Sequence, residues 1–170
     1  SRCFRNEGID TRHNPEFTLI ELYQSYVDYN EMMALTENLV AYVAKEVLGT
    51  TKIQYGDNEI DLTPPWDRKT MIGGIKEKTG VDFGEFFTSE EAYEKAREMH
   101  VEVDEAMNWG QIIDAVFEKK VEPTLIQPVH IIDYPREISP LAKVHRDNER
   151  LTERFETRIN GWEIANAFSR

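Results

Sequence analysis

A chain of 170 residues with 40% apolar content and a formal net charge of -12 suits one domain with a buried core, and it carries no repeat at a solenoid period. That acidic balance excludes a surface built to wrap phosphate backbones, because nonspecific nucleic-acid affinity comes from Lys and Arg displacing counterions; any RNA contact must be local. The single cysteine, Cys3, excludes an internal disulfide, and without an apolar run long enough for a membrane span or signal peptide the cytoplasm is the simplest compartment.

In chain order, the segments from Arg2 to Glu7 and from Glu16 to Tyr23 read as two strands joined by a charged loop through Arg12, His13, Asn14 and Pro15. Cys3 alternates with charged neighbours, which predicts a packed core thiol. Asn30 can cap a helix whose Met32, Leu35, Leu39, Tyr42, Val43 and Val47 recur near helical spacing and predict core packing, with Gly49 as the stop. Residues 51–55 and 59–62 read as a hairpin around Gly56, Asp57 and Asn58, and Pro64-Pro65 breaks the chain. Helical patterns follow at about 67–78, 89–99 and 109–120, forming a helical insertion over about 66–120 with a solvated face at Glu90, Glu91, Glu94, Lys95, Arg97 and Glu98. His100 at a helix end reads as a surface residue. Residues 127–134 return to strand, Pro135 and Pro140 bracket a loop, residues 146–150 form a charged link, and the last twenty residues form a strand pair around Asn160-Gly161.

Two places in this pattern could do chemistry. Alternation puts Cys3, Arg5 and Glu7 on one side of the first strand and Phe17, Leu19, Glu21 and Tyr23 on one side of the second. Arg5 offers a forked cation for phosphate or carboxylate oxygens, Phe17 a ring for a purine, and Glu21 with Tyr23 a seat for an ammonium group. The plainer reading is a surface Arg5–Glu7 ion pair, a core Phe17 and an exposed Glu21. At the far end, a two-residue turn at Asn160-Gly161 pairs Ile159 with Trp162, Arg158 with Glu163 and Glu156 with Ala165, so Glu156 and Glu163 share one face. Two carboxylates there suit Mg²⁺, which keeps most of its water and borrows phosphate oxygens from a nucleotide. The plainer reading is that they pair with Arg158 or face solvent.

The runs FRNEG, RHNPEFT and ELY resemble motif 2 of the class II aminoacyl-tRNA synthetases in its lysyl variant, and EISPLAK resembles the same family. The resemblance implies an α+β fold. It would be an antiparallel class II sheet with helices on one side, residues 1–170 being a partial catalytic domain from motif 2 to just before motif 3, incomplete at both ends. Motif 1, motif 3 and the anticodon-binding β-barrel would lie outside it.

The implied activity is a lysine–tRNA ligase, using ATP, L-lysine, tRNA(Lys) and Mg²⁺ in a homodimer with no membrane association. Arg5 would be catalytic, contacting the α-phosphate and the amino-acid carboxylate, while Glu7, His13 and Phe17 hold the rest of ATP. Glu21, Tyr23, Asn166 and Phe168 would receive lysine, and Glu156 and Glu163 the metal. Strict alternation turns Asn166 and Phe168 away from Glu163, so the resemblance requires a bulge or bend before Asn166. Arg170 departs from the family, which commonly has a lysine-binding acidic residue there. Little or no activity is expected of the segment in isolation. The alternatives are a non-catalytic synthetase-derived fragment or paralogue, and a paralogue that lysylates a protein.

Overall fold

The computed structural model describes residues 1–6 and 8–170; Glu7, expected in the ATP pocket, lies outside the described residues. The chain opens on a small antiparallel pair, β1 (Arg2–Phe4) and β2 (Glu16–Thr18), with Cys3 directly opposite Phe17. The pair is shorter than the sequence suggests, ending before Glu21 and Tyr23. Cys3 is only half-buried, which corrects the expected packed core thiol.

Helix α1 (Tyr29–Leu48) starts at Asp28, whose side chain accepts from the Asn30 amide while Glu31 returns the bond to the Asp28 amide, and it stops at Gly49 with φ 73°. A capping box and a left-handed glycine thus set both ends. The apolar stripe expected to face the core does not: Leu35, Leu39, Tyr42, Val43 and Val47 are all exposed, and the buried face is Tyr29, Met33, Glu37, Ala41 and Ala44. Periodicity identifies a helix, but a helix with two apolar stripes leaves open which one meets the sheet. Here the stripe with small residues and a hydrogen-bonded Glu37 allows the close approach.

The hairpin β3 (Lys52–Tyr55) and β4 (Asn58–Asp61) forms as expected around Gly56-Asp57. Beyond Pro65, residues 67–70 depart from the helical expectation: Asp67–Thr70 is strand β5, and helix α2 (Met71–Thr79) begins only after Thr70 caps the Gly73 amide. Four polar residues with no strand pattern take this form because β6 (Val129–Ile132) offers a parallel partner, from Asp67↔Val129 to Thr70↔Ile132. Helices α3 (Ser89–Glu98) and α4 (Trp109–Lys120) follow, each with a capping box. The charged link at 146–150 is instead a hairpin of β7 (Val144–His145) and β8 (Asn148–Thr152). Strands β9 (Arg154–Ile159) and β10 (Trp162–Phe168) close the chain, with Asn160 and Gly161 both at positive φ, as a two-residue turn of the primed type requires.

The principal sheet has the order β10-β9-β6-β5. It is mixed, not wholly antiparallel, because β5 runs parallel to β6. Helices cover both faces, which corrects the one-sided layout. Val129 and Ile131 pack into a core with α2, α3 and α4, including Ile75, Ala92, Ile112, Ile113, Val116 and Phe117. The alternate residues Ile132 and Phe155 pack with Tyr29 and Met33 of α1. Among the described residues no helix is long and apolar enough to cross a membrane.

Candidate functional site

The β9–β10 register builds the site. Glu163 pairs with Arg158 as expected, but an extra residue at Ile164 shifts the ladder so that Asn166, not Ala165, faces Glu156, and Phe168 faces Arg154. A bulge or bend before Asn166 is what the resemblance requires, and the structure has a bulge there. Directly paired residues share a face of the sheet, so Glu156, Glu163, Asn166 and Phe168 line one side together with Arg154 and Arg158. Because Glu156 pairs with Ile131, that side is the one flanked by α4.

Two guanidinium groups clamp Glu156: Arg154 Nη2 donates to Oε1 and Arg158 Nη2 to Oε2, each at 2.6 Å. Arg154 also donates Nε to Asn166 Oδ1 at 3.1 Å and Nη1 to Ser139 Oγ at 2.7 Å, while its guanidinium lies 4.4 Å from the Tyr134 ring. One arginine therefore orients the candidate metal ligand Glu156 and the candidate lysine contact Asn166. Glu163 is solvent-accessible on its outer side, yet crowding by surrounding protein and then the negative Glu156 raise its pKa above the usual carboxylate value. On α4, neighbouring protein and then the same Glu156 charge also raise the pKa of Asp114, although that residue is exposed.

A divalent cation would relieve this crowding of like charge. Each oxygen of Glu156 retains a lone pair after accepting one guanidinium bond, and Glu163 adds a hard oxygen donor. Among the described residues no three His, Cys, Asp or Glu side chains converge on one point. Glu156 and Glu163 are thus two carboxylates on one face of the hairpin, with both Glu156 oxygens already accepting from arginines.

The opening strands bring the other candidates. The Arg5 guanidinium lies 5.2 Å from the centre of the Phe17 ring, and its positive charge reaches Glu163 and lowers that carboxylate's pKa against the two larger effects. His13 sits in the loop with Nδ1 2.9 Å from Asp10 Oδ2, and Asp10 Oδ1 also accepts the Arg12 and His13 amides at 2.7 Å each. The His13 hydrogen bond comes first among the causes that lower the Asp10 pKa. Glu21 and Tyr23 are exposed beyond the end of β2. Tyr23 meets the β10 end through Arg170, whose guanidinium lies 5.6 Å from the Tyr23 ring and 5.4 Å from that of Phe168. Those two rings therefore accept a cation between them.

Sequence reasoning missed Arg154, Asp114 and Tyr134. Arg154 had a signal, since it lies two residues before Glu156 on a strand and must share its face. The other two come from distant segments, and only the fold brings them near.

The profile of the tRNA synthetases class II (D, K and N) matches residues 1–170. Over 168 residues the chain is 58% identical to the lysine–tRNA ligase of Bacillus subtilis and 59% identical to that of Thermoanaerobacter pseudethanolicus, covering 99% of this chain and 34% of each relative. Over 169 residues it is 57% identical to the lysine–tRNA ligase of Carboxydothermus hydrogenoformans, covering 35% of that protein. The chain thus spans about a third of the length of the curated relatives it matches. A match over the whole chain makes this chain a member of the class II tRNA synthetases of the D, K and N type.

Proposed function

We propose that this chain supplies the amino-acid and metal half of a lysyl-adenylate-forming site in a lysine–tRNA ligase. The bulge at Ile164 carries the reading, because it turns Asn166 and Phe168 to the face that Glu156 and Glu163 share. In the reaction, a lysine carboxylate oxygen attacks the α-phosphorus of ATP, the bond to the β-phosphate oxygen breaks, and pyrophosphate leaves. A tRNA terminal hydroxyl then takes the lysyl group and AMP departs. Arg5 binds the α-phosphate and the lysine carboxylate, neutralising charge that grows on the pentavalent phosphorus. Phe17 stacks the purine, with His13 and Glu7 completing the nucleotide seat. Tyr23 and Phe168 flank the lysine side chain, Glu21 pairs with its ammonium, and Asn166, fixed by Arg154, hydrogen-bonds the substrate. Mg²⁺ held by Glu156 and Glu163 would supply further neutralisation of the phosphates. No side chain acts as a nucleophile, so catalysis is positioning and electrostatics. The partial catalytic domain, the homodimer, the tRNA(Lys) partner and the cytoplasmic setting belong to the same proposal.

A chimera tests it: this chain replaces the corresponding third of the Bacillus subtilis lysine–tRNA ligase. Lysine-dependent ATP–pyrophosphate exchange is the predicted outcome, and Arg5→Ala in the chimera should lower the exchange rate by about 100-fold or more. A folded, dimeric chimera with no exchange would contradict the proposal.

A further inference from the structure

We infer that Glu122 is a positioning residue that ties the loop at 8–15 to the metal-binding strand β9, using one carboxylate oxygen for each. This inference rests on the adenylation reading, since the loop carries His13 and the strand carries Glu156. Glu122 Oε1 accepts from Arg12 Nη1 at 2.7 Å, and Oε2 lies 3.6 Å from Arg158 Nη1. The same Arg158 donates its other terminal nitrogen to Glu156. An unbroken series of charged contacts therefore runs from Arg12 through Glu122, Arg158, Glu156 and Arg154 to Asn166.

Several features distinguish this carboxylate from an ordinary surface partner. Its side chain is only 12% exposed, and that of Arg158 15%, so that arm is screened far less than an exposed pair, while Arg12 on the other arm is 49% exposed. The segment carrying it is held by its own backbone bonds: Glu122–Thr124 forms a short 3-10 turn directly after α4, with the Thr124 amide bonded to Val121 O and the Leu125 amide to Glu122 O. The tip of the β9–β10 hairpin is fixed to the same segment, the Asn160 amide donating to Ile126 O at 2.9 Å. Arg12 in turn lies over the Trp162 ring at 5.9 Å, while the loop around it is open, with Ile9 82% exposed. Neutralising Glu122 would release Arg12 and leave one arm of Arg158 uncompensated, loosening its hold on Glu156. Loop position and carboxylate alignment are thus set together.

Hydrogen exchange on the 170-residue chain reads this directly. Glu122→Gln keeps the shape and removes the charge; it should speed exchange of the Arg12 and His13 amides by about 5-fold or more while the β6 amides stay within about 2-fold. Arg12→Gln should do the same, and the double variant should exceed neither single by more than about 2-fold, because both remove one tie. An equal change across loop and sheet, no change, or fully additive effects would each overturn the inference. Calorimetric titration of MgATP into the same proteins separates it from the reading beneath it. Binding by the wild type that weakens about 5-fold in Glu122→Gln supports the functional role, and equal affinity overturns it. No uptake of MgATP by the wild type counts against the adenylation reading, and the exchange result alone then decides whether Glu122 holds the loop.

Discussion

Arg154 concentrates the greatest structural consequence in one side chain. Its guanidinium is divided among Glu156, Asn166 and Ser139 and rests on Tyr134, so removal leaves a mostly buried carboxylate with one partner instead of two. Arg154→Gln should cost about 3 kcal/mol in urea unfolding; a loss within about 0.5 kcal/mol would mean that Arg158 alone holds Glu156. On the opposite face, His130 is fully buried, its Nδ1 2.9 Å from Thr157 Oγ1 and its Nε2 3.0 Å from Glu37 Oε2. Burial pushes its pKa below the ordinary 6.5, outweighing the hydrogen bond and charge of Glu37. The unfolded chain therefore takes up this proton first, so the contribution is complete above 6.5 and is lost as pH falls through the lower folded value. Asp28 adds a loss at lower pH: burial works against its ionisation, but hydrogen bonds from Arg146 and the Asn30 amide win and bring its pKa to about 2. Because the raised carboxylates Glu163 and Asp114 act with the opposite sign in both proteins, the test is the difference: between pH 7 and pH 5 the urea midpoint should fall further, or rise less, in the wild type than in His130→Gln, and the reverse order contradicts the sign. Arg170 stands over the two rings proposed to receive lysine, where a guanidinium repels an ammonium. Arg170→Glu should tighten lysine binding about 10-fold by calorimetry.

Elements differ in how far their residues reveal them. Helix α1 announces itself through the Asp28 capping box and Gly49, yet its core face could not be read, because Leu35, Leu39 and Tyr42 make as apolar a stripe as Met33, Ala41 and Ala44. Stability data distinguish the two: Met33→Ala should cost about 2–5 kcal/mol, whereas Val47→Lys, at a position 73% exposed, should stay within roughly 0.5 kcal/mol. A reversed order would show that the stripe inferred from spacing is the buried one. Strand β5 was hidden for a different reason: Asp67, Arg68, Lys69 and Thr70 carry no strand pattern, and a parallel neighbour 62 residues later, from Asp67↔Val129, supplies the cause. The β9–β10 hairpin lies between these cases. Asn160-Gly161 sets its turn unambiguously, and the need for a bulge could be deduced from the residues that had to meet, but the extra residue at Ile164 is visible only in the pairing.

At the scale of the molecule, a four-stranded mixed sheet carries α1 on one face, and on the other α2 to α4 beside the line of Glu156, Glu163, Asn166 and Phe168. The candidate residues at the two ends of the sequence were legible because motif-like runs carry them. The residues that hold them, Arg154 and Glu122 above all, were not, because orientation depends on contacts between segments far apart in sequence. The proposed site distinguishes a lysyl from an aspartyl or asparaginyl adenylate. Calorimetry of the 170-residue chain with a non-hydrolysable lysyl-adenylate analogue, compared with aspartyl and asparaginyl analogues, decides this. The lysyl analogue should bind at least about 10-fold more tightly than either other analogue, and Arg5→Ala should abolish the binding. Equal or tighter binding of the aspartyl or asparaginyl analogue would show that the site does not select lysine.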